Sequence, residues 1–136
     1  MENCIFCKIA SGEIPAEKVY EDEHTFAFLD LKPVNPGHTL VIPKKHADNL
    51  YEIDDVSLAA TAITARNIAI AIKKALGAEG VNVHMNNGRA AGQVVFHLHM
   101  HVIPRYQKDG RELWHGDESN YKNSATIAEK IKSALH

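Results

Sequence analysis

Hydrophobic and polar positions along the chain change period several times, and each change marks an element. Residues 4–11 read as a short helix that stops at Ser11-Gly12. Residues 19–21 and 25–30 are rich in β-branched and aromatic side chains and read as two strands joined by the charged turn Asp22-Glu23. Residues 32–37 are a Pro- and Gly-containing loop, and residues 39–42 form a third strand stopped by Pro43. Asp54-Asp55 offers an N-cap and a dipole-complementing charge to a long helix that runs to Leu76, with Gly77 as its stop. Two apolar stripes run along that helix. Leu58, Ala62, Ala65, Ala69, Ile72 and Leu76 form one, and Val56, Ile63 and Ile70 form its neighbour. So wide an apolar arc fits a helix sunk in its own core or one that shares a stripe with a second copy. A homodimer with this helix in the contact is the expectation carried forward.

Val81, Val83 and Met85 alternate with Asn82, His84 and Asn86, the pattern of a half-buried strand. Residues 87–92 are a loop. Residues 94–103 form the strongest strand signal, with Pro104 expected to end it. Residues 105–123 are irregular and polar around Trp114, and residues 124–135 read as a final helix with Ile127, Ile131 and Leu135 on one face. The expected class is α+β: a mostly antiparallel sheet carrying one long helix, with a C-terminal helix, in one domain over residues 1–136.

Composition narrows the function. The 136 residues are 45% hydrophobic and 24% charged, with a net charge of -2. That balance disfavours a polyanion partner such as nucleic acid. No run of apolar residues approaches the roughly 18 needed to span a bilayer, and Met1-Glu2-Asn3-Cys4 has no basic or apolar leader character. A cytoplasmic protein with no membrane partner is expected. The two cysteines, Cys4 and Cys7, are spaced Cys-x-x-Cys. A redox pair would sit after a strand and open a helix in a βαβ unit. The remaining readings are a metal half-site and a turn with two buried thiols.

Histidine is the outlier, with nine in the chain and three within His97-Leu98-His99-Met100-His101. On a strand those three share one face, with neighbours about 7 Å apart, while Phe96, Leu98, Met100 and Val102 turn to the other. Strict alternation argues against mere decoration of a solvated face. It leaves two chemistries open: a His-x-His metal site, or a nucleophilic imidazole supported by its neighbours.

The run His97-Leu98-His99-Met100-His101-Val102-Ile103 resembles the signature of the histidine triad superfamily. Further segments, Ile5-Phe6-Cys7-Lys8-Ile9, Glu13-Ile14-Pro15-Ala16, Ala27-Phe28-Leu29-Asp30, Gly37-His38-Thr39-Leu40-Val41-Ile42-Pro43-Lys44-Lys45-His46 and Ala91-Gly92-Gln93, resemble its Hint branch in the same order. The resemblance implies a histidine-triad fold and a catalytic set of His97, His99 and His101. In it His99 attacks phosphorus to give a nucleotidyl-histidine, and His101 contacts the phosphoryl oxygens. It implies nucleotide contacts from Asp30 (ribose), Asn86, Gly92 and Gln93 (sugar and phosphate), and Phe6, Ile14 and Leu31 (base). By similarity to zinc-bearing relatives it implies a structural Zn2+ on Cys4, Cys7, His46 and His97, which makes the His97 ring a support. Val94 departs from the pattern, because relatives usually carry Ser or Thr there. The implied substrate is a purine nucleoside 5′-phosphoramidate. The alternatives are a dinucleoside polyphosphate, a nucleotide-binding interaction protein with incidental hydrolysis, and a metalloenzyme using all three histidines. His24, His38, His84, His115 and His136 are expected on the surface or in loops.

Overall fold

The computed structural model describes residues 3–135, so His136 lies outside them. In chain order the elements are α1 (Ile5–Ala10), β1 (Lys18–Glu21), β2 (Thr25–Leu29), β3 (Thr39–Pro43), α2 (Asp55–Leu76), β4 (Gly80–His84), β5 (Met100–Arg105) and α3 (Ser124–Ala134). The five strands form one sheet in the order β1-β2-β3-β5-β4, with every neighbouring pair antiparallel. The class is α+β, as the sequence predicts.

Strand alternation gives the sheet two different faces. Ala27, Val41, Met100 and Val102 face α2 and pack with its Ala65, Ile68 and Ile72. Phe26, Phe28, Leu40 and Ile42 face the other way and pack under Phe6 and Ile9 of α1. The registers Phe28↔Leu40, Leu40↔His101 and His84↔His101 then continue this second face across β5 to β4. One face is therefore a hydrophobic core. The other begins as a hydrophobic cluster and ends as a row of histidines.

α2 is capped as expected. The Asp54 side chain accepts from the Ser57 N–H at 2.8 Å, and Gly77 ends the helix with φ +65°. Its inward stripe differs from the apolar one read from the sequence. Ser57, Thr61 and Thr64 are buried with Ala65, Ile68 and Ile72. Thr64 and Thr25 share a buried hydroxyl hydrogen bond at 2.9 Å, and Thr61 donates to the Ser57 carbonyl at 2.7 Å. Satisfied hydroxyls can enter a core, and they displace the second apolar stripe outward. Val56, Ile63 and Ile70 are 64%, 50% and 50% exposed. By length and composition alone α2 could also cross a bilayer; here its inward stripe packs on the sheet.

The histidine strand is shorter at its start and longer at its end than expected. Pairing begins at Met100, so His97 and His99 lie on the approach to β5 and outside its ladder. The approach passes the loop after β3, where the Leu98 N–H bonds to the Ala47 carbonyl at 2.8 Å. Pro104 lies inside β5, opposite Val81. Its missing N–H points to the side where β3 has already ended, and Asn35 donates to its carbonyl there at 2.9 Å. Close by, a Cβ on Gly37 would collide with Leu76, and its φ of +98° also favours glycine.

Candidate active site

The even-numbered positions of β2, β3 and β4 and the odd-numbered positions of β5 share the open face. Extending each strand by a residue or two brings Asp30, His38, His84, Asn86, His99 and His101 to the same side. The His99 and His101 rings lie 5.0 Å apart, His38 and His101 lie 5.1 Å apart, and His84 stacks on His101 at 4.8 Å with 17° between planes.

Hydrogen-bond partners settle the tautomers of these rings. The His99 Nδ1 lies 2.7 Å from the His97 carbonyl oxygen. A carbonyl only accepts, so Nδ1 carries the proton and Nε2 carries a free lone pair. His38 accepts the Val34 N–H at its Nδ1, at 3.0 Å. Its own proton is therefore on Nε2, which donates to the His101 Nδ1 at 2.9 Å. His101 consequently holds its proton on Nε2. Asp30 Oδ2 approaches the same His38 Nε2 at 3.5 Å, and its Oδ1 accepts from the Lys32 N–H. Burial pushes His38, His84 and His99 below the ordinary imidazole value and carries His101 down to about 4. The row is therefore neutral at pH 7, and the His99 Nε2 lone pair is left open on this face.

His97 faces elsewhere. Its Nε2 donates to the Pro43 carbonyl at 2.8 Å, which leaves the Nδ1 lone pair 3.3 Å from Cys4 Sγ and 3.5 Å from Cys7 Sγ. His46 is arranged the same way: its Nε2 donates to Asp48 Oδ1 at 2.8 Å, and its Nδ1 lies 3.2 Å from that of His97 and 3.5 Å from Cys7 Sγ. Two imidazole lone pairs facing each other at 3.2 Å repel unless a cation lies between them. Tetrahedral zinc, with bonds of about 2.0–2.1 Å to nitrogen and 2.3 Å to sulfur, requires N···N edges near 3.3 Å and N···S edges near 3.6 Å. The four donors, all within 4.8 Å of one another, fit that ion. The expected ligand set is thus brought together, and the His97 ring belongs to it. The His97 ring thus faces the cysteines and not the His99–His101 row, and only its backbone carbonyl touches that row, at His99.

The expected nucleotide residues are placed unevenly. Phe6 is buried, with its ring 5.0 Å from that of His99, and Ile14 packs on the same cluster. Leu31 stands 95% exposed on the rim. Gly92 adopts φ +94°, where a Cβ would come within 3.9 Å of the Asn86 amide. Gln93 does not reach into the site. Its side chain is buried, accepting from the Gly88 N–H at 2.8 Å and donating to the Asp48 and Val95 carbonyls, so it staples the loop from within. Val94 is 86% exposed.

Of the histidines expected on the surface or in loops, His38 is buried and His84 is exposed at the sheet edge, and both join this row. Both were detectable by parity. His38 lies two residues from Leu40, and His84 alternates with Val83 and Met85, but only the β3–β5 and β4–β5 registers show that both parities meet at His101.

A family model described as the HIT domain matches residues 11–108. A solved HIT-family structure from Bacillus subtilis superposes with a TM-score of 0.90 at 46% identity, covering 98% of each chain. A structure titled as a Zn-bound histidine triad family protein from Mycobacterium smegmatis gives 0.79 at 38% identity, covering 97% of this chain and 98% of that one. An adenosine 5′-monophosphoramidase of Schizosaccharomyces pombe is 46% identical over 76% of this chain and 74% of its own. An adenylylsulfatase of Arabidopsis thaliana is 46% identical over 79% of this chain and 54% of its own. With the aligned histidines, the open sheet face and these likenesses in hand, the chain belongs to the histidine triad family of nucleotide-binding hydrolases.

Proposed function

We propose that this chain hydrolyses purine nucleoside 5′-phosphoramidates through a covalent nucleotidyl-histidine at His99. The observation that carries the reading is the hydrogen bond from His99 Nδ1 to the His97 carbonyl, which directs the Nε2 lone pair away from the backbone. Nε2 attacks phosphorus, the bond to the leaving group breaks, and water later displaces His99 to release the nucleoside monophosphate. His101 Nε2–H donates to the phosphoryl oxygens as charge gathers on them. Asp30 accepts from the ribose hydroxyls, and Phe6, Ile14 and Leu31 receive the base. The relatives named for adenosine 5′-monophosphoramidate and adenylylsulfate cleavage support an AMP-bearing substrate.

Cys4, Cys7, His46 and His97 would hold Zn2+, whose role there is structural: a closed set of four protein ligands leaves no open position for substrate. Two thiolate ligands suit a reducing compartment, so the cytoplasm is the proposed location. A homodimer is proposed through the outer stripe of α2 and the edge strand β4. An antiparallel edge can pair with itself across a two-fold axis, which carries the exposed Val56, Ile63 and Ile70 of each copy toward the other.

The test is to quench the reaction with an AMP phosphoramidate and map the adduct by mass spectrometry. An AMP adduct on His99, and a His99→Ala variant that binds nucleotide without turnover, are expected. An adduct elsewhere refutes the mechanism. A wild type without turnover on phosphoramidates or dinucleoside polyphosphates makes the chain a nucleotide binder.

A further inference from the structure

Hydrolysis of a phosphoramidate needs more than a nucleophile, because an amine leaves phosphorus only as it gains a proton. Few side chains near His99 have one to give. The His38 ring uses both nitrogens, on the Val34 N–H and on His101. The His97 ring uses Nε2 on Pro43 and turns Nδ1 to the cysteines. His101 has Nε2–H free for the phosphoryl oxygens. Gln93 is a buried amide spent on loop contacts. Val94, on the exposed side of the same loop, carries no proton on a heteroatom at all.

His84 is different. It lies directly opposite His101 in the β4–β5 register, its ring is stacked on that of His101 at 4.8 Å, and it sits at the exposed edge of the sheet. Neither of its ring nitrogens has a hydrogen-bond partner among the described residues. Beside it, around the β4 edge, opens a cavity of ≈ 720 Å³ lined by His84 itself with Asn82, Val83, Asn86, Ile103 and Arg111 among others. The cavity lies on the β4 side of the row, while Phe6, Ile14 and Asp30 lie on the α1 and β2 side. A nucleotide seated by those residues, with its phosphorus at His99, would send its leaving group toward His84.

Building on the proposed hydrolysis, we infer that His84 is the acid for the leaving group and the base for the attacking water. In the first step the His99 Nε2–P bond forms, the P–N bond breaks, and the His84 proton passes to the departing nitrogen, which leaves as a neutral amine. In the second step water attacks phosphorus, the His99–P bond breaks, and the water's proton returns to His84. The neighbours of His84 bear on this cycle. His101, His38 and His99 share its surface and are neutral in the empty site, Asp30 lies at the far end of the row, and Arg111, Glu112 and Arg105, which is paired with Asp109, line the cavity beside it. The substrate phosphate adds negative charge, which favours a proton on His84 when substrate is bound.

The test compares two leaving groups on one nucleotide: an AMP alkylamidate, whose amine must be protonated, and AMP p-nitrophenyl ester, whose phenolate departs without a proton. His84→Ala and His84→Phe are assayed on both, the Phe variant keeping a flat ring against His101 without a proton. Both variants are expected to lose about 10²-fold or more in kcat/KM on the alkylamidate and to keep kcat/KM on the ester, which reads only the first step, within about 3-fold. Equal losses on the two substrates, or alkylamidate activity restored by Phe, would overturn the inference and reduce His84 to a packing partner of His101. Should wild type cleave neither compound, the phosphoramidate reading itself fails, and the inference with it.

Discussion

Replacing His38 by Leu isolates the bond that sets the His101 tautomer. His38 is 3% exposed, and Leu fills much of the same volume. Two polar groups lose their partner: the Val34 N–H, which donates to Nδ1, and the His101 Nδ1, which accepts from Nε2. A buried group stranded in this way costs about 1–3 kcal/mol. Val34 is only half-buried, so water recovers part of its share, and the expected loss is about 2–4 kcal/mol. Urea unfolding reads this directly. With a slope of about 2 kcal/mol/M, the midpoint should fall by about 1–2 M with no change in slope. The functional loss is smaller and separate. His101 remains in place but can exchange its proton between nitrogens, so it forfeits one net hydrogen bond of about 0.5–1.5 kcal/mol, or about 2- to 12-fold in kcat. Imidazole 15N shifts should show wild-type His101 as the Nε2–H form and the variant as a mixture. An unmoved urea midpoint together with an unchanged His101 spectrum would refute the tautomer relay.

Two further outcomes follow from other parts of the molecule. Asp48→Asn weakens the acceptor that orients His46, so Zn2+ affinity measured by chelator competition should fall about 10- to 100-fold; an unchanged affinity would remove Asp48 from the metal's support. Ile63→Lys places a charge on the outer stripe of α2 and should convert the proposed dimer to monomer in sedimentation velocity, whereas a wild type that sediments as monomer defeats the dimer outright.

The sheet, the long helix and its caps were legible because each rests on local chemistry. Asp54 needs only the Ser57 N–H to cap α2, and Gly77 needs only its own backbone. The inward face of α2 was not legible, since hydropathy ranks Ile63 above Thr64, while burial depends on Thr25 reaching across from β2. The triad and the metal donors were visible as a pattern. The resemblance also set the His97 ring apart as a support; the contact that turns it toward the cysteines was not legible, since it depends on a carbonyl from Pro43, 54 residues away. Gln93 reads as a phosphate ligand by position but is held by Asp48, a contact with no local signal. His38 and His84 escaped for the same reason, because alternation gives the parity of a strand but not its register against another strand.

The row of histidines also has a bearing on how the chain acquires activity. Asp30, His38, His84 and His101 come from the ends of four different strands, and the bond between His38 and His101 closes a loop of 63 residues. Such non-local contacts form late, after the costliest loops have closed. No fragment of the sheet can carry a working part of the site, and a misregistered sheet carries none. Turnover in a refolding experiment therefore counts complete molecules, and should lag behind helical signal, which α2 can develop from contacts close in sequence.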